Sequence, residues 1–199
     1  NEINCWHYSH AKGSVLKGIN ILSCMVRYDD ICLPVSYEII KKDIKYCDME
    51  TKSERRIAST TKNELFRQLI AQAQKNNVQY DYVLADNWYG SKANMEFLQN
   101  DLDKSFIIGI KSNRTLALSE DDSLNGHFQS VKSLELEEDI THKVWLRGLT
   151  FSVQLLIKKF KNENGNTGIL YLVSNDMEID ADRLYLVYQK RWKIEEFHK

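Results

Sequence analysis

DYVLADNWYG, residues 81–90, begins as a buried strand and stops at an acid followed by two aromatics and a glycine. Tyr82, Val83, Leu84 and Ala85 make a short continuous apolar run, the pattern of a strand covered on both faces in an α/β sheet. Ligands of such sheets collect beyond the carboxyl ends of the strands, which is where Asp86 stands. An acid there either caps the next helix or belongs to a site. The flanking elements bear on that choice.

Upstream, VLKGINILSCMV (15–26) and ICLPVSYEII (31–40) flank a short polar RYDD and read as two strands of a hairpin, with Asp29 and Asp30 in its turn. Pro34, the single proline, places the second strand at a sheet edge. Thr61 and Glu64 have capping-box spacing, and Leu65, Leu69 and Ala73 continue a helical stripe up to Asn76-Asn77. After Asp86 come a helix at 91–100 and a strand at 105–111, so the middle of the chain alternates strands and helices. From 113 to 174, polar turn clusters separate HKVWLRGL, FSVQLLIKKF and GILYLVS, which read as antiparallel strands of a β-rich insertion. Asp180 then N-caps a helix predicted to run unbroken over 181–199.

Composition sets the bounds. A chain of 199 residues with 43% hydrophobic content buries one sizeable core, and no apolar stretch approaches the roughly 20 residues that span a bilayer. The N-terminus lacks the basic-then-apolar layout of an export signal. Cys5, Cys24, Cys32 and Cys47 form no CxxC pair, so they read as reduced, mostly packed thiols of a cytoplasmic protein. A net charge of −1 gives no global attraction to nucleic acid, so phosphate contacts must come from local patches. One candidate is the loop 51–62, where Lys52, Arg55, Arg56 and Lys62 outweigh Glu54; a solvated surface loop is the competing reading. His7 and His10 are spaced i, i+3, but without an HExxH or Cys/His pattern a zinc nuclease is not expected. The chain starts at Asn1 and ends inside a helical pattern, as expected of a piece of a longer protein.

The last helix carries the second signal. At 100° per residue, Tyr188, Arg191 and Glu195 share one face, presenting a hydroxyl, a guanidinium and a carboxylate together. An exposed i, i+4 ion pair worth about 0.2–0.5 kcal/mol explains Arg191 and Glu195 without any function. Paired with Asp86, however, Glu195 gives two carboxylates of the type that hold Mg²⁺ or Mn²⁺ and leave room for phosphate.

LADNWYGS around Asp86, KGINIL on an early strand, and Tyr188, Arg191 and Glu195 in YxxRxxxE spacing resemble the DDE transposases of bacterial insertion sequences, in the branch marked by a Tyr-Arg-Glu-Lys signature. The resemblance runs in order over nearly the whole chain. It implies an α/β fold with an RNase H-like catalytic core, a mixed sheet with flanking helices, interrupted by the β-rich insertion. The domains would be 1–112 (core, first part), 113–174 (insertion) and 175–199 (catalytic helix). It also implies Mg²⁺ or Mn²⁺ as cofactor, and DNA cleavage and strand transfer at the element ends, that is, DNA transposition and recombination. Asp86 and Glu195 would be the second and third catalytic, metal-holding acids, and Tyr188 and Arg191 would hold DNA phosphate. The partners implied are double-stranded DNA, at the transposon ends and target, and a second copy in a homodimeric synaptic complex. Its place would be the cytoplasm, on the nucleoid when acting, with no membrane.

The first acid and the signature lysine of that family would lie before Asn1 and after Lys199, so the 199 residues alone are expected to be inactive. Asp29 and Asp30 do not replace the first acid, since turn chemistry accounts for them. Trp88 and Tyr89 support the Asp86 loop or line a DNA channel, and Trp145 either packs in its strand or stacks on a base. Two further readings stay open: a non-catalytic DNA-binding remnant, and an RNase H-like nuclease without strand transfer.

Overall fold

The early alternation of short apolar runs and polar turns folds into three two-stranded antiparallel ribbons: β1 (Cys5–Ser9) with β2 (Ser14–Gly18), β3 (Ile21–Tyr28) with β4 (Ile31–Ile39), and β5 (Ile44–Asp48) with β6 (Ser53–Ile57). The computed structural model describes residues 1–9, 13–161 and 165–197. It divides into two compact units, 1–79 and 80–199.

In the first unit the β3–β4 hairpin forms as expected, closing at Asp29, whose φ of 48° is a left-handed value that aspartate tolerates. Pro34 faces Met25 beside a register shift in a strand with a single partner, the edge setting in which a missing N–H is tolerated. The expected strand over 15–26 is instead two strands, because its first part pairs with β1 and its second with β4. The expected basic loop is also corrected. The Asp48 carboxylate accepts from the amides of Glu50 and Thr51, closing a turn that folds residues 53–57 back onto β5.

α1 (Lys62–Lys75) starts at the Thr61–Glu64 capping box and ends at Asn76. Its buried stripe, Leu65, Phe66, Leu69, Ile70 and Ala73, packs against β3 and β4.

The second unit begins with β7 (Tyr82–Ala85), then α2 (Lys92–Glu96), which runs on into a π-helical turn at Phe97–Asp101, and β8 (Ser105–Ile110). β9 (Thr115–Ala117), α3 (Glu120–Leu124), β10 (Gln129–Ser130), β11 (Thr141–Leu146), β12 (Val153–Lys161) and β13 (Thr167–Ser174) follow. One seven-stranded sheet results, in the order β10-β9-β11-β12-β13-β8-β7. Its β7–β8 pair is parallel and the others are antiparallel, so the fold is the mixed α/β class of an RNase H-like core.

α4 (Ala181–Gln189) begins at Asp180, whose side chain accepts from the Arg183 amide at 2.8 Å. It does not continue unbroken: a 3₁₀ turn at Lys190–Trp192 separates it from α5 (Lys193–Phe197). Side chains at i and i+3 eclipse in a 3₁₀ turn, which lays Arg191 over Tyr188. Leu184 and Tyr188 of α4 pack with Ile179 against Ile107, Leu156 and Leu172, which places α4 on one face of the sheet.

Candidate functional site

The sheet register determines which way Asp86 faces. Leu84 pairs with Ile107 in the parallel β7–β8 ladder, and both belong to the face that α4 covers. Side chains two apart on a strand share a face, so Asp86, just past Ala85, points to the α4 side at the carboxyl edge. It does not cap a helix, because α2 takes Ser91 as its N-cap. One carboxylate oxygen, Oδ1, accepts the Trp88 amide at 2.9 Å, and the Asp86 carbonyl accepts the Tyr89 amide at 3.1 Å. The acid therefore shapes its own turn.

Two glycines let this turn sit tightly on β8. A Cβ on Gly90 would lie 2.6 Å from the Gly109 carbonyl oxygen, and one on Gly109 would lie 3.0 Å from the Asn87 nitrogen and 3.3 Å from the Tyr188 hydroxyl. The Tyr188 hydroxyl thus rests against β8 in the space that a side chain would fill. Asn94, fully buried, donates its amide to the Tyr89 carbonyl at 3.0 Å and ties α2 to the turn. The sequence reading missed Asn94, Gly90 and Gly109; a glycine inside the FIIGIK strand was the signal, since it marks close backbone approach.

Tyr188 is 4% exposed, and burial pushes its hydroxyl above the usual tyrosine range. Arg191 opposes that shift, while Asp86 and Glu195 add to it. One buried hydroxyl therefore senses the strand-end acid, the helix acid and the guanidinium. Arg191 Nη2 donates to Glu195 Oε1 at 3.1 Å, and the guanidinium carbon lies 5.5 Å from the Tyr188 ring centroid. The Arg191 side chain is 17% exposed and that of Glu195 61%. Arg191 Nε is buried without a hydrogen-bond partner.

Tyr89 is half-buried, and burial first, then the Asp86 charge, push it up to about 12. Trp88 is 56% exposed, with the Lys111 ammonium 5.1 Å from its ring centroid. The two aromatics split their roles, one packed and one outward.

Of the remaining candidates, Trp145 belongs to the same unit as this cluster and Arg55 and Arg56 to the first unit. Trp145 is half-buried on β11 with the Lys143 ammonium 5.2 Å from its ring, and the neighbouring Val144 and Leu146 point into the core. Arg55 and Arg56 lie on β6 in the first unit: Arg55 pairs with Asp48 at 2.9 Å, and Arg56 donates to the Lys42 carbonyl at 3.4 Å. Both charges are partly engaged within the first unit.

His7 lies 3.8 Å from the Cys5 thiol, and His10 is outside the described residues. The four cysteines are free; Cys5 is buried, Cys24 and Cys32 are half-buried, and Cys47 is exposed rather than packed. Among the described residues, no group of three or more His, Cys, Asp or Glu is placed to hold a metal ion. Asp86 and Glu195 nonetheless fit a hard divalent cation by donor type, each with one carboxylate oxygen engaged in a hydrogen bond. No described helix is long and apolar enough to cross a membrane.

Residues 2–125 match the model of a family described as DDE superfamily endonuclease. The match includes Asp86 and its turn and ends before α4. No curated protein matches the chain.

Proposed function

This chain belongs to the DDE superfamily endonucleases, and from that premise we propose that it is part of a transposase that cleaves and rejoins DNA at the ends of an insertion sequence. Its nuclease-type domain acts on DNA. The observation that carries the finer reading is the Tyr188 hydroxyl, which senses both Asp86 and Glu195 while resting against β8 beside the Asp86 turn.

In this reading Asp86 and Glu195 hold Mg²⁺ or Mn²⁺. A divalent ion, when bound, activates water and stabilises the leaving oxygen of a phosphodiester. Arg191 clamps Glu195 in the free protein and is placed to take a phosphate, for which its planar fork is suited. Tyr188 fixes the helix over β8 and offers its hydroxyl to the same phosphate. The two carboxylates are this chain's contribution to a site that takes three acids. Arg55, Arg56 and Trp145 make outlying DNA contacts, and a second copy joins in the synaptic complex. The division into core (1–112), insertion (113–174) and catalytic helix (175–199) belongs to the same lineage.

The competing reading, a DNA-binding remnant, draws on the lack of a three-ligand metal group among the described residues. The test is to express the 199 residues alone and with the coding sequence that flanks them at their locus, then assay plasmid nicking in Mg²⁺ and Mn²⁺. Metal-dependent nicking by the longer protein, lost with Asp86→Asn, supports the transposase; binding without nicking by the longer protein supports the remnant. Activity of the short chain would show that an acid within it completes the site.

A further inference from the structure

Tyr82, Leu84 and Asp86 alternate along the line of β7 and so share the face that α4 covers. Tyr82 and Leu84 pack against the cluster that includes Leu184 and Tyr188. α4 runs the same way as the strand. Its first turn lies at the Tyr82 end, where the Arg183 charge reaches the phenol, and Tyr188 lies at the Asp86 end, its hydroxyl beside Gly109. Four strand residues from Tyr82 to Asp86 cover about 13 Å at roughly 3.3 Å each. Eight helical residues from Asp180 to Tyr188 cover about 12 Å at roughly 1.5 Å each, so strand and helix span the same distance between the two ends.

At the Tyr82 end the two elements are joined by a bond as well as by packing. The Tyr82 hydroxyl donates to Oδ2 of Asp176, in the turn between β13 and α4. That turn is itself held. The Asp176 amide donates to the hydroxyl of the fully buried Ser174 at 3.2 Å, and Asp176 Oδ1 accepts the Glu178 amide at 3.1 Å. Asn175 accepts the Phe106 amide at 2.8 Å, and donates to the Lys104 carbonyl at 3.1 Å and to Gln99 Oε1 at 2.6 Å. Asp176 is thereby anchored to the start of β8. Burial first, then the bond to Asp176 and its charge, push Tyr82 up to about 12, so at neutral pH the phenol keeps the proton that it donates. A phenylalanine would fill the same apolar space; what the hydroxyl adds is this bond.

Apolar packing is non-directional, so the cluster holds α4 onto the sheet without by itself fixing how far along β7 the helix sits. We propose that the Tyr82–Asp176 hydrogen bond is a clasp that fixes this height, making Tyr82 and Asp176 positioning residues for Tyr188 and Arg191, and through Arg191 for Glu195, relative to Asp86. The inference rests on the reading of Asp86 and Glu195 as one site. Neither residue of the clasp touches the reacting atoms. They set one end of a helix whose other end completes the site, where a misplacement of about 1 Å costs on the order of 10²-fold in rate.

In the 199-residue chain, nuclear Overhauser contacts between the Tyr188 ring and the Gly109 α-protons read the height of α4. In the longer protein, kcat for Mg²⁺-dependent nicking reads its consequence. Tyr82→Phe and Asp176→Ala are each expected to weaken those contacts and to lower kcat about 10–100-fold, and the double variant to do no more than either alone. Asp176→Asn is expected to restore both readouts: its Oδ1 still takes the Glu178 amide, while its Nδ2 donates to the phenol oxygen, the same bond reversed. Val144→Ala, which loses core packing on β11 outside the cluster under α4, is the control for lost stability and should leave contacts and kcat as they are. Contacts or a kcat that survive Tyr82→Phe, an Asp176→Asn variant as impaired as Asp176→Ala, or a control that behaves like Tyr82→Phe would each overturn the clasp. The site reading is judged separately. If the longer protein does not nick, or still nicks with Asp86→Asn, that reading falls, and the Tyr188–Gly109 contacts alone decide whether the clasp sets the height of α4.

Discussion

Gly90 sits so close to Gly109 that a Cβ on Gly90 would lie 2.6 Å from the Gly109 carbonyl oxygen, a backbone atom that cannot swing aside. Gly90→Ala therefore has to move the Asp86 turn away from β8. The expected cost is about 1–3 kcal/mol, the range of an overpacked site, read from the midpoint of a urea melt. Gly109→Ala meets the Asn87 nitrogen at 3.0 Å and the Tyr188 hydroxyl at 3.3 Å, so a smaller loss is expected.

Asn94→Ala removes the buried amide that donates to the Tyr89 carbonyl. A lost buried hydrogen bond of this kind costs about 1–3 kcal/mol. Denaturant unfolding measures it. Faster amide exchange confined to residues 86–91 would separate a loosened turn from general unfolding.

Leu184 is fully buried in the cluster that fixes α4 to β8, β12 and β13. Leu184→Ala is expected to destabilise by about 2–5 kcal/mol. Because the same helix carries Tyr188, the change should also lower the raised Tyr188 pKa toward its ordinary value, which ultraviolet titration of the tyrosines detects.

Alkaline pH gives an independent check of the Asp86 turn. Tyr89 is raised from 10.0 to about 12 by burial and by Asp86, so the folded state holds its proton more tightly than the unfolded chain. The stability linked to that difference is fully present below pH 10 and is lost as the pH climbs through about 12. Tyr82, raised to about 12 by burial and by donating to Asp176, acts in the same direction. Tyr89→Phe should flatten the fall in melting temperature across that window, and Asp86→Asn should lower the midpoint of the Tyr89 titration.

Glu195→Gln keeps the size of the side chain but removes the charge that pairs with Arg191 at 3.1 Å. The pair is exposed at its acid end, so little loss of stability is expected. In the longer protein, metal-dependent nicking should disappear while duplex binding is kept or strengthened, because Arg191 is released toward phosphate. Nicking that survives would remove Glu195 from the site.

The sequence by itself determined the elements whose causes are local. The Thr61–Glu64 box and its apolar stripe specify α1 because capping and 3.6-residue periodicity act within a few turns. The run from Tyr82 to Ala85 specifies a buried strand ending at Asp86, and the i, i+4 spacing of Arg191 and Glu195 specifies their bond. Tertiary structure decided what depends on partners far along the chain. The register of β7 on β8 determines which face Asp86 takes, and Tyr188 reaches β8 because Gly109 leaves the space. The same holds for the β5–β6 ribbon, where Asp48 turns an apparently free basic loop into a paired strand and takes up the charge of Arg55. It holds again for the 3₁₀ turn after α4, which no breaker residue announces and which lays Arg191 over Tyr188 once Tyr188 is packed in the core. Local pattern carries backbone preference, but the direction of a side chain and the partner of a charge are set by contacts that sequence spacing does not encode.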